Sequence, residues 1–253
     1  MNPRRLAAAT ALAFAAALAP PADAASTTQR APVGSEYYYA AAGVYADYPA
    51  AGFQATLTVH KPEQVQRKRR NHSLGQIAVT QRSDGSTLEA GWTQERGNPR
   101  LFVYWRPTTG KKTCYNLGCG FRLKGPGQRP GTKVKPGSTL TVGFEHVGRK
   151  WWLLVDGKRS GYYPDRLWKG QFTSTDLAQV FGEVVVDRGS QPCTDMGTGQ
   201  LPQTGAAARI YDATWLGGPP SLSLLLSASA YPSFYDIVQT APNAVAYGGP
   251  GAC

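Results

Sequence analysis

Apolar positions in this chain recur in twos, in short runs, and hardly anywhere in threes and fours. Phe53-Gln54-Ala55-Thr56-Leu57-Thr58-Val59 alternates along its whole length, and Leu74 to Thr80 repeats the pattern. A period of two sends successive side chains to opposite faces, so both segments read as half-buried strands. Tyr37 to Tyr45, Thr139 to Val147, Trp151 to Val155, Phe181 to Val186, Ala208 to Trp215, Leu222 to Ser229 and Tyr235 to Gln239 extend the series. Gly, Pro, Asn and Asp clusters punctuate these runs, as at Ser83-Asp84-Gly85-Ser86 and Gly148-Arg149-Lys150. Asp156-Gly157 is a two-residue hairpin signal, because a type I′ turn needs positive φ at both positions. Residues 122–138 carry no period and read as a long loop. Short helical turns are expected after Pro164 and near Ser174. The pattern predicts an all-β fold, an antiparallel two-sheet β-sandwich of the jelly-roll or concanavalin-like kind, with one or two short helical turns. No internal repeat or linker divides it, so one domain is expected over residues 36–253.

One stretch of that pattern stands out, from Leu88 to Phe121. Leu88-Glu89-Ala90-Gly91-Trp92 leads into a turn at Arg96-Gly97-Asn98-Pro99 and back through Leu101-Phe102-Val103-Tyr104-Trp105. This is a β-hairpin by its spacing. Hairpin pairing places Tyr104 diagonally near Glu89 on one face, and Trp92, of opposite parity, in the core. Glutamate is poor in strands and costly to bury, so Glu89 needs a reason; a solvated rim position is the simplest. Glu183 repeats the anomaly inside Phe181-Gly182-Glu183-Val184-Val185-Val186.

The N-terminus changes where the chain is expected to work. Arg4 and Arg5, an apolar run from Leu6 to Leu18 and Ala22-Asp23-Ala24 have the form of a signal peptide over residues 1–24. The run is too short to span a membrane. Residues 25–35 form a short polar leader. The expected product is secreted and extracellular, without a membrane anchor, and most simply a monomer. Four cysteines in an exported chain imply two disulfides in one of three pairings. Cys114 and Cys119 are close enough to clip one loop; Cys193 and Cys253 would then tie the C-terminus to a distant loop. The formal net charge of +11 favours acidic surfaces. Its one dense run, Arg67-Lys68-Arg69-Arg70, reads as a solvated loop tip, so nucleic acid is not expected as a specific partner.

Two isolated carboxylates can share the work of hydrolysis. One takes a proton from water while the other, held neutral, gives one to the leaving group. Other chemistries lack their marks: neither a GxSxG elbow nor HExxH occurs, and nothing resembles a nucleotide-binding glycine loop. His60, His72 and His146 sit in polar surroundings and read as ordinary surface histidines. Neither CxxC nor a His pair suggests zinc, so no metal or cofactor is expected.

Six segments in one order carry a further reading. They are Glu89-Ala90-Gly91-Trp92 with Leu101 to Trp105, Cys114-Tyr115-Asn116-Leu117-Gly118-Cys119, Gly161-Tyr162-Tyr163-Pro164, Phe181-Gly182-Glu183-Val184, Asp195-Met196-Gly197-Thr198-Gly199 and Tyr247-Gly248-Gly249-Pro250-Gly251. In this the chain resembles the neprosin family of glutamic peptidases, from Tyr37 to Cys253. The resemblance implies an antiparallel β-sandwich endopeptidase acting on peptides or proteins in acid. Its catalytic glutamates would be Glu89, in the family's Glu-x-Gly-Trp segment, and Glu183, in its Gly-Glu-Val segment. By the hairpin geometry, Tyr104 is a candidate oxyanion or substrate contact, with a core aromatic as the alternative. Plant members cleave after proline and carry a pro-domain, for which the leader here has no room. Val180-Phe181-Gly182-Glu183 replaces the common Trp-Gly-Gly-Glu, and Cys193 lies upstream of the usual second disulfide. Two rivals stand beside this reading: a β-sandwich glycoside hydrolase using the same carboxylates, and a non-catalytic carbohydrate- or cell-wall-binding module.

Overall fold

In the computed structural model the described residues are 34–63, 71–95, 97–106, 114–118 and 120–253. The expected signal peptide, most of the leader and the basic run Arg67–Arg70 lie outside them. Fifteen strands follow in chain order among the described residues. The first eight are β1 (Ser35–Ala50), β2 (Gly52–Thr58), β3 (His72–Gln81), β4 (Ser86–Gln94), β5 (Arg100–Arg106), β6 (Cys114–Tyr115), β7 (Arg122–Leu123) and β8 (Thr139–His146). Then come β9 (Lys150–Val155), β10 (Lys158–Pro164), β11 (Thr175–Asp187), β12 (Ala208–Leu216), β13 (Leu225–Leu226), β14 (Asp236–Ala241) and β15 (Ala244–Gly248). All pairings are antiparallel, in a seven-stranded sheet ordered β13-β1-β11-β3-β4-β5-β6 and an eight-stranded sheet ordered β14-β15-β12-β2-β8-β9-β10-β7. The expected β-sandwich is what forms.

The period-two pattern explains why. Ile77, Val79, Leu88, Ala90, Trp92, Leu101 and Val103 of the first sheet are wholly buried, as are Phe53, Leu57, Val142, Phe144, Trp151 and Leu153 of the second. Fully burying one such side chain stabilises by about 1.5–3 kcal/mol. Trp92 falls in the core as its parity requires, and its indole donates to the Thr58 carbonyl oxygen at 3.0 Å. Asp156 and Gly157 turn with φ of 47° and 73°, both positive, as the β9–β10 hairpin demands.

Two local expectations are corrected. The loop over 122–138 opens with β7, which pairs Arg122 with Tyr162 and Leu123 with Gly161. A short 3₁₀ turn does follow Pro164, at Asp165–Trp168, but the second lies at Pro202–Thr204 rather than near Ser174. Thr175 instead begins β11, its hydroxyl donating to the Thr80 carbonyl at 2.8 Å and accepting from the Thr80 amide at 3.1 Å. Sheet pairing at Thr175 stands where the second turn was expected.

Cys193 and Cys253 form a disulfide across 60 residues. Cys114 is also disulfide-bonded, and its expected partner Cys119 lies outside the described residues. Among the described residues, no helix is long and apolar enough to cross a membrane.

Candidate active site

Strand β3 is the axis of the site. It lies between β11 and β4, and its register sets Glu183 opposite Leu74 and Glu89 opposite Ala78. Since Ile77 and Val79 point into the core, His72, Leu74, Gln76 and Ala78 share the outer face. Glu183 and Glu89 share it too, because directly paired residues lie on one face of a sheet. The two glutamates are two strands apart and out of step by the four residues from Leu74 to Ala78. In a flat sheet that is roughly 17 Å between Cα atoms. Gln76 lies midway between them in the register.

Each carboxylate is gripped differently. The Gln76 amide donates to Glu89 Oε2 at 3.0 Å. Gln76 itself is almost fully buried, and its Oε1 has no hydrogen-bond partner among the described residues. The imidazole Nε2 of His72 lies 2.8 Å from Glu183 Oε1, with side-chain exposures of 23% and 11%. On the far side Tyr39 of β1 pairs directly with Glu183 and hydrogen-bonds its carboxylate. Burial, then the charges of Glu183 and Glu89, hold the Tyr39 phenol well above its ordinary range, so it stays protonated and able to donate.

Tyr104 pairs directly with Glu89 rather than diagonally, so it stands closer than the hairpin spacing implied. Aromatic rings wall the face at both ends. Tyr39 meets Phe181 edge-on with centroids 5.9 Å apart, and Phe102 stacks on Tyr115 at 6.0 Å.

Beneath the face, Gly75 of β3 and Gly182 of β11 are cross-strand partners, each beside a site residue. A Cβ at either position would overlap Tyr247, which rises fully buried from β15 of the opposite sheet. Met196 packs against Gly182 as well, and its amide donates to the Gly249 carbonyl at 2.9 Å. The Asp195–Gly199 and Tyr247–Gly251 segments thus lie under β3 and β11, the strands that carry Gln76 and Glu183.

Reasoning from sequence singled out Glu89, Glu183 and Tyr104, which the structure places on one face, and did not single out Gln76, Tyr39 or His72 beside them. Gln76 carried a signal, a carboxamide in an otherwise apolar strand. His72 was read as an ordinary surface histidine, and that is corrected: it is bonded to Glu183. The other two histidines are engaged as well. His146 Nε2 lies 3.0 and 3.1 Å from the two oxygens of Asp165, and His60 is largely buried against Trp92, which lowers its pKa.

Fold and site together describe an antiparallel β-sandwich with two glutamates on the outer face of one sheet. The profile of the neprosin family matches residues 69–250, and the chain belongs to that family. Membership supports a hydrolase of the glutamic-peptidase class. The fold is similar to scytalido-glutamic peptidase, solved with a transition-state analogue inhibitor, at 9% identity and a TM-score of 0.51. That match covers 85% of this chain and 99% of the other. SCP-B, a member of the eqolisin family of peptidases solved with the tripeptide Ala-Ile-His, covers the same shares at 9% identity and a TM-score of 0.47. At such identities the likeness concerns the fold alone.

Proposed function

We propose that the protein is a secreted glutamic endopeptidase in which Glu89 and Glu183 activate a water molecule against a peptide bond held between them. The observation that carries this reading is the placement of both glutamates on one outer face of the sheet, with Gln76 bonded to Glu89 and the Tyr39 phenol to Glu183. Glu183, gripped by His72 and Tyr39, takes a proton from the attacking water. Glu89, protonated, gives its proton to the departing amine. The amide of Gln76 and the phenol of Tyr39 are donors set to meet charge that develops on the scissile carbonyl oxygen. Tyr104, beside Glu89, forms one wall for the substrate.

The requirement for one protonated carboxylate places the activity in the acid range, since glutamate ordinarily titrates near about 4.3. The aromatic walls suit a flat apolar ring, which accords with cleavage after proline. Residues 1–24 direct export, the 36–253 domain carries the whole activity, and the disulfides belong to an oxidising compartment.

The test is digestion of an unstructured peptide library, with cut sites read by mass spectrometry, by wild type and by Glu89→Gln and Glu183→Gln. Both variants should keep the wild-type circular dichroism and lose hydrolysis by at least a hundredfold. Retention of more than a few per cent of activity by either one would sink the assignment.

A further inference from the structure

We propose that the outer face of the eight-stranded sheet, over β7, β10, β9 and β8, is a docking surface for an acidic polysaccharide that carries carboxylates along its chain. The inference stands apart from the reading of Glu89 and Glu183, which lie on the outer face of the other sheet. Its ground is where the charge sits. Residues 122–170 hold eleven of the chain's 27 Lys and Arg but three of its 16 Asp and Glu, a balance of +8 out of +11. Of those three acids, Asp165 is bonded to His146, and Asp156 accepts from the Thr141 amide at the β9–β10 turn. Glu145 is the third, its Oε2 3.7 Å from an Arg159 nitrogen, too long for a hydrogen bond.

The register builds the surface. Trp151 and Tyr163 point into the core, so Glu145, Trp152, Tyr162 and Arg122, paired in one row across four strands, share the outer face. Lys150 and Arg159 reach that row from either side, since Lys150 pairs with Pro164 and Arg159 with Leu154. Both lie over its rings. Lys150 Nζ is 5.3 Å from the Tyr162 centroid and 5.9 Å from that of Trp152, and Arg159 Cζ is 4.7 Å from Trp152. Contacts of this kind hold long cationic side chains in place, so less rotamer freedom is lost when an anion arrives. Trp152 is buried beneath them, which decides against a single-stranded nucleic acid, whose bases need open ring faces. The cations also turn the corner of the sheet. Arg122 stands on the edge strand β7, and exposed Lys124 follows it into a loop that runs along β10, where the Gly127 amide donates to the Arg159 carbonyl at 2.9 Å. A flat bilayer meets one side of such a corner; a flexible chain follows both. Guanidinium groups, moreover, can take carboxylates with two parallel hydrogen bonds.

The experiment measures binding of the full chain to polygalacturonate by titration calorimetry, in about 100 mM salt so that distant charges are screened. Wild type is compared with the double variant Lys150→Gln, Arg159→Gln and with Arg82→Gln, Arg188→Gln, which removes the same charge beside β3 and β11 of the other sheet. The first pair should weaken binding roughly tenfold and flatten its dependence on salt, because fewer counterions are released. The second should change it by less than about twofold. Hydrolysis of a free peptide should be unaltered by Lys150→Gln, Arg159→Gln. The binding readout needs no activity, so a failure of the glutamate reading leaves it standing. No binding by wild type, or equal losses in the two double variants, overturns the proposal. So does duplex DNA, polyglutamate or a phosphatidylglycerol vesicle that binds as tightly, charge for charge, as polygalacturonate.

Discussion

The ring of Tyr247 occupies the space that a side chain at Gly182 would need. Gly182 has no positive φ to excuse it, so its smallness is demanded by the approach of the opposite sheet and not by its own backbone. Gly182→Ala should therefore cost about 1–3 kcal/mol through overpacking and displace Glu183 next to it. Denaturant melts and peptide hydrolysis should fall together. Wild-type activity in a destabilised Gly182→Ala would show that the wedge supports the fold without supporting the site.

Gln76 is buried with one amide end committed to Glu89. Gln76→Leu keeps the volume and removes the donor, so stability should change by less than about 1.5 kcal/mol. Hydrolysis should drop on the order of a hundredfold, as for loss of one preorganised donor. The check is kcat against KM: the loss should lie in kcat.

The Cys193–Cys253 bridge closes a span of 60 residues that contains β12 to β15. Chain-entropy arithmetic puts its contribution at about 4 kcal/mol. Tyr235 adds to the same corner, its hydroxyl lying 2.9 and 2.7 Å from the carbonyl oxygens of Pro192 and Thr194. Cys193→Ser with Cys253→Ser should lower Tm by several degrees or more and shorten the half-life in acid. Calorimetry with and without a reducing agent is the measurement.

His60 is a weak point in acid. Burial lowers its pKa, so the folded state prefers it neutral. The sign follows from linkage: its contribution is present above the unfolded value, near about 6.5, and fades as pH falls through the folded value. His60→Gln should lose little at neutral pH and gain on wild type below pH 6. Melting curves across pH 4–8 would show the two lines crossing; parallel lines would refute it.

Among the described residues no group of three His, Cys, Asp or Glu side chains gathers as a metal site. Chelators should leave hydrolysis unchanged, as should reagents directed at serine or cysteine nucleophiles. Strong inhibition by a chelator, reversed by adding a divalent metal, would contradict the carboxylate mechanism.

Glu89, Glu183 and Trp92 were legible because each is a local contradiction or a local parity: a charge inside an apolar run, or a ring out of phase with it. Asp156-Gly157 was legible because its turn is set by two residues alone. Tyr39 and His72 were not. Their meaning depends on β1 and β3 pairing with β11, which lies more than a hundred residues downstream, and no period in the sequence sets that register. The second helical turn failed for the same reason, since Thr80 claims Thr175 from across the sheet. β7 is two residues long, too short to show any alternation.

Tyr39 belongs to the first strand and Tyr247 to the last, and both glutamates lie between them in the order of synthesis. A polypeptide made amino end first carries Glu89 and Glu183 long before it carries the ring that packs against Gly75 and Gly182. On the proposed reading, a protein stopped short of Ala244 should cut nothing, and an exported peptidase built this way is harmless to the machinery that exports it.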